Sequence, residues 1–206
     1  MMDTFDAIES RYGILIPKLY RTMHEAGHFD ASAQKHVTFT DHEWMTLSDI
    51  ATHEFADWQT LTRQWFVPFS ISARHDQWGW RRDWTTVDEP AVVFCELGPE
   101  GCGYAPNFQG FLYRMLLEEL SGSWLLESAD DIVGKKQVQQ TVDNVCPYLP
   151  PAWANRLSEL SRLAWYTDDD GTIRVFPRVD CESIVQDELA FDHLNEPFLQ
   201  ELDEEE

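Results

Sequence analysis

The chain has 206 residues, 43% of them hydrophobic, with 37 acidic against 15 basic side chains and a formal charge of −22. That composition supports a packed core and argues against global disorder. It argues equally against direct binding of nucleic acid or anionic membrane, which are held by Lys and Arg that displace counterions. The same field speeds encounter with basic partners, while also serving plain solubility.

From the start, Phe5, Ile8 and Tyr12 follow helical spacing behind a cap at Asp3 or Thr4, and Gly13 suits the left-handed position past the end. Pro17 opens a second helix that presents Leu19, Tyr20, Met23 and Ala26 and stops at Gly27. Asp30 to His42 has no period and reads as a surface loop. Residues 44–64 are expected to form a helix with Leu47, Ile50, Ala51, Trp58 and Leu61 inside. The aromatic and β-branched run Trp65 to Ser72 and the alternating WGWRRDW then predict a hairpin, and Ala91 to Leu97 a third strand. PEGCG reads as a turn. Asn107 caps a helix with Phe108, Phe111, Leu112, Met115, Leu116 and Leu120 on one face, ending near Gly122.

Beyond it, Trp124 to Val145 is polar and mixed, and CPYLPP is a rigid bend. Pro151 begins a helix carrying Trp153, Leu157, Leu160 and Ala164, and DDDG at Asp168 to Gly171 reads as a hairpin turn. From Cys181 to Glu206 there are ten acidic residues and no Lys or Arg, so the segment reads as an acidic tail whose last residues, DEEE, fray.

Cys95, Cys102, Cys146 and Cys181 show no CxxC pair or zinc-ribbon spacing and read as free thiols in a reducing compartment. The acidic start has no leader-like features and no apolar run reaches membrane-spanning length, so the expectation is a cytoplasmic protein. Phosphate-cradling glycine motifs, a nucleophile elbow and EF-hand spacing are absent, and no cofactor is expected.

One catalytic pattern is present. His24-Glu25-Ala26-Gly27-His28 matches HExxH, in which two His one turn apart bind zinc and the Glu acts as general base. The chemistry needs a helix continuing through both His and a third ligand. Here the pattern falls in the last turn, before a terminating Gly27, and Glu43 and Glu54 are the available third ligands. A zinc peptidase using His24 and His28 stands as the alternative, with chance or helix capping as the plain reading.

The order helix, helix, helix, aromatic hairpin, strand, helix resembles the SUKH superfamily, the Smi/Knr-like domains. Gly13, Ile16, Pro17, Tyr20 and Gly27 match its opening, and Phe66, Pro68, Phe69, Asp76, Trp78, Trp80 and Asp83 its strand pair. EPAVVFCEL matches its Pro-Val-Val strand, and Phe108, Phe111 and Leu112 its closing helix. The resemblance covers residues 3 to 120. It implies an α+β domain over 1–120, with helices packed on one side of an antiparallel sheet; residues 121–206 lie outside the resemblance and read as a helical and hairpin extension packed on that domain, with an acidic tail at 181–206. It implies a non-enzymatic role: an immunity protein that neutralises a toxin, often a basic nuclease, by direct binding. Related domains also serve as scaffolds, so the fold alone does not set the role.

Trp78 and Trp80 share one face of their strand by its period of two. That face is either core or an aromatic anchor for a partner, with Asp76 as a rim charge. The candidate partner-binding residues are thus Asp76, Trp78, Trp80 and Asp83.

Overall fold

The computed structural model describes residues 4–57, 59, 61–86, 89–123 and 125–200. Asp3, Trp58, Trp124 and the terminal DEEE, invoked above, lie outside the described residues. In chain order the elements begin with α1 (Thr4–Tyr12), α2 (Lys18–Glu25), β1 (Glu43–Trp44), α3 (Leu47–Thr52), α4 (Thr62–Trp65), β2 (Phe66–Ile71), β3 (Gln77–Thr86), β4 (Glu89–Cys95) and β5 (Glu100–Ala105). They continue with α5 (Phe108–Ser121), α6 (Ile132–Val145), a 3-10 turn (Cys146–Tyr148), α7 (Pro151–Leu160), β6 (Tyr166–Thr167), β7 (Ile173–Arg174), α8 (Arg178–Leu189) and β8 (Pro197–Leu199). The class is α+β with an antiparallel sheet, as the sequence implied. The chain divides into two compact units, Met1–Arg21, His42–Phe108 and Phe191–Glu206 in one, Thr22–Asp41 and Gln109–Ala190 in the other. Both units draw on residues from either side of position 120.

The first unit holds the sheet, in the order β1-β2-β3-β4-β5-β8. Phe5, Ile8 and Tyr12 bury one face of α1, and Gly13 ends it at φ +65°. The Glu9 carboxylate accepts the Ile16 N–H at 2.8 Å and pairs with Arg21 at 2.7 Å, which fixes the apolar link into α2. Tyr12 donates to the Ile50 carbonyl at 3.0 Å, tying α3 to α1. On one face of the sheet Tyr20, Phe69, Trp80 and Phe108 are fully buried, with Tyr20 and Trp80 edge to face at 4.9 Å. Aromatic rings of this size dominate the burial that stabilises so small a unit.

Residues 44–64 are not one helix. Trp44 pairs with Ser70 in the sheet and packs on Phe69 and Phe108, so tertiary burial overrides local propensity. Thr46 and Asp49 then form a capping box that starts α3, and the extended His53 stops it after six residues. The expected PEGCG turn is instead strand β5, because its glycines admit close neighbours. The Phe198 ring lies on Gly101, and the His193 carbonyl approaches Gly103. Past β8, the buried Gln200 closes the β4–β5 turn. Its side-chain amide donates to the carbonyls of Glu96, Gly98 and Glu100 at 3.0, 2.8 and 2.8 Å.

In the second unit α5 buries Phe111, Leu112, Leu116 and Leu120, as its spacing predicted. The polar stretch before Val145 also folds: α6 is capped by Asp131 and buries Val138, Thr141, Val142 and Val145. The Asp168 carboxylate accepts the N–H groups of Asp170 and Thr172 at 3.1 and 2.8 Å, shaping the expected hairpin turn. The segment expected to be a tail contains α8, which buries Cys181, Val185 and Leu189 at helical spacing.

Candidate functional site

The Trp80 face is core; the chemistry left for a partner lies on the opposite face of the sheet. Strand alternation sends Arg81 and Gly79 there, and the pairing irregularity between Arg81 and Thr85 brings Trp84 to the same side. Gly79 leaves room for the Phe66 ring, as Gly101 does for that of Phe198. Phe66, Val93 and Cys95 form the buried floor, and Phe55, Trp65, Trp84 and Phe198 lie half-buried over it.

The Arg81 guanidinium sits inside this cluster. Its central carbon is 3.7 Å from the Trp84 ring centroid, 4.2 Å from that of Trp65 and 4.8 Å from that of Phe198. Such stacking favours a cation that is weakly hydrated and planar, which is Arg rather than Lys. Asp83 receives two bonds from the same guanidinium, at 2.9 and 3.2 Å, and stays half-exposed. Nη1 of Arg81 is buried without a hydrogen-bond acceptor among the described residues. Trp84 stacks on His193 at 4.1 Å and 11°, and His193 meets the exposed Glu196 carboxylate at 2.5 Å. The surface therefore offers flat aromatic area over a largely buried guanidinium already paired with Asp83, and a carboxylate rim; aromatic residues and Arg are the types enriched at protein-binding hot spots.

The four residues singled out in the sequence are dispersed. Trp80 is fully buried in the core. Trp78 is half-buried on that same face, 4.8 Å from Phe94 and 5.4 Å from His42. The Asp76 carboxylate is engaged within the fold: it accepts the Ser72 hydroxyl at 3.0 Å and the Leu97 N–H at 2.9 Å, closing two turns. Asp83 alone reaches the outer aromatic face. Arg81, Trp65, Trp84 and Phe198 were missed, although the period of two that grouped Trp78 with Trp80 also sends Arg81 to the other side.

The HEAGH segment has a different geometry from a zinc-binding helix. α2 ends at Glu25, Gly27 is left-handed at φ +81°, and His28 lies beyond the last turn. His28 is buried, donates from Nδ1 to the Lys35 carbonyl at 2.8 Å and accepts the Tyr148 hydroxyl at Nε2 at 3.0 Å. Burial pushes its pKa below the ordinary 6.5 and favours this neutral tautomer. Ligation would cost one of those bonds. Among the described residues no group of three His, Cys, Asp or Glu is placed to hold a metal ion.

A buried carboxylate that the sequence did not single out is Glu119. It accepts the Thr40 N–H at 2.8 Å, the Thr40 hydroxyl at 3.0 Å and the Ser123 hydroxyl, and burial pushes its pKa above 4.5. Its lone pairs are occupied by the segment it holds, so it acts as a clamp. No family model matches the chain, and no curated protein matches it in sequence.

Proposed function

We propose that this protein is a non-catalytic binding protein of the SUKH kind, an immunity protein that neutralises a basic toxin by occlusion. The observation that carries this reading is the half-exposed cluster of Trp65, Trp84, Phe198 and Arg81, rimmed by Asp83 and Glu196, in a chain of charge −22. Net negative charge steers a basic partner inward, and the aromatic face then supplies the buried contact that slows escape. The α+β class and the absence, among the described residues, of any helix long and apolar enough to cross a membrane agree with it.

The test is capture of the tagged protein's partner from its native lysate, followed by expression of that partner alone and together with this chain. The proposal expects one basic protein, near one to one, that arrests growth alone and is harmless in the pair. A captured partner that is harmless alone would point to a scaffold. Catalytic turnover by the purified chain would contradict the binding role.

A further inference from the structure

A wide-mouthed surface depression of about 530 Å³ lies in the second unit, between the start of α6 and the segment that follows α7. Small organic ligands occupy sites of roughly 300–1,000 Å³, so the space is of the right order. Lys135, Lys136, Leu163 and Trp165 line it, together with Asp130. The chain has four lysines, Lys18, Lys35, Lys135 and Lys136, and two of them meet here. Neither of these two forms an ion pair with a carboxylate among the described residues.

The nearby Asp131 is already committed. One of its oxygens accepts the N–H groups of Val133 and Gly134 at 3.0 Å each, and the other accepts that of Glu127 at 3.3 Å. Asp130 and Asp131 offset part of the lysine charge, Asp131 facing Lys135, while the exposed charges beyond about 8 Å are largely screened at physiological salt. An exposed Leu and a half-buried Trp beside two ammonium groups match a ligand with an apolar ring and an anionic substituent.

We propose that this depression binds a small aromatic acid, its ring against Trp165 and Leu163 and its carboxylate, sulfonate or phosphate held by Lys135 and Lys136. Asp130 repels the anionic end and so sets the direction in which the ligand lies. The site is built from residues of the second unit alone, and its chemistry does not depend on the identity of a protein partner.

The probe is anilinonaphthalene sulfonate, titrated into the full chain and followed by fluorescence and calorimetry, beside neutral phenylnaphthylamine. The proposal expects one saturable site for the sulfonate and weaker uptake of the neutral ring. The double variant Lys135→Gln, Lys136→Gln weakens the sulfonate at least tenfold, since the loss of even one charge-assisted bond is worth about that factor. Trp165→Leu weakens both probes, Asp130→Asn tightens the sulfonate, and Lys18→Gln leaves both unchanged. These residues are exposed or half-buried, and circular dichroism checks that each variant is folded. Equal binding of the two probes, a double lysine variant that binds like the parent, or uptake that never saturates would each overturn the proposal.

Discussion

Replacing Glu119 tests whether a buried carboxylate clamps the Thr40 segment of the second unit. Glu119→Ala deletes the acceptor for one N–H and two hydroxyls, all inside the fold. A hydrogen bond to a charged group is worth about 1.5–3 kcal/mol, and part of the loss is returned because the carboxylate is no longer desolvated. The net cost is about 3 kcal/mol, or roughly 6–12 °C in Tm for a chain of this size. Glu119→Gln keeps an acceptor for the Thr40 N–H and offers N–H donors to the two hydroxyls, so it retains most of the stability. The pH behaviour separates the two roles further. Burial raises the Glu119 pKa above 4.5, so the folded chain keeps a proton that the unfolded chain releases. Its contribution is greatest below the unfolded pKa and declines as pH rises from about 4.5 through the folded value. Urea denaturation of parent, Ala and Gln variants from pH 5 to 8 reads both effects. The reasoning is refuted if the Ala variant loses less than about 1 kcal/mol, or if the Gln variant is destabilised as much as the Ala variant.

Three further outcomes follow from the geometry. Burial pushes the Cys181 thiol up to about 11 and Cys95 well above its ordinary value, so mass spectrometry after a thiol reagent at pH 8 finds both unmodified until the chain is unfolded. Ala190 ends α8 in the left-handed region at φ +44°, so Ala190→Gly raises stability by about 0.5–1 kcal/mol in chemical denaturation. Gln200→Ala leaves the carbonyls of Glu96 and Gly98 without the side-chain donor, while that of Glu100 keeps the Glu96 N–H at 3.1 Å, costing about 2 kcal/mol and speeding amide exchange at Glu96.

The sequence announced what local periodicity controls and hid what distant neighbours decide. Phe5, Ile8 and Tyr12 are buried as their spacing requires, and so are Phe111, Leu112 and Leu116. β5 was hidden because Gly101 and Gly103 look like turn residues, and the ring and carbonyl that need them belong to Phe198 and His193, far later in the chain. Val138, Val142 and Val145 did carry the helical period of α6, masked by the polar Gln139, Gln140, Asp143 and Asn144 between them. At the candidate site, alternation placed Asp83 but not Trp84, since the irregularity in β3 that redirects Trp84 leaves no local mark. Asp76 read as a free charge because its acceptors' partner Leu97 lies on another turn.

The most direct test of the central claim is the rate of binding to the purified partner across salt, for the parent and for Trp84→Ala. Surface plasmon resonance yields both rates. Steering by the negative charge predicts an association rate that falls steeply as salt rises, by tenfold or more between about 0.05 and 0.5 M. An anchor role for Trp84 predicts a dissociation rate faster by roughly thirtyfold in the variant, matching a hot-spot loss of about 2 kcal/mol. A salt-insensitive association rate together with an unchanged dissociation rate would contradict the account, because neither the charge nor the aromatic face would then be holding the partner.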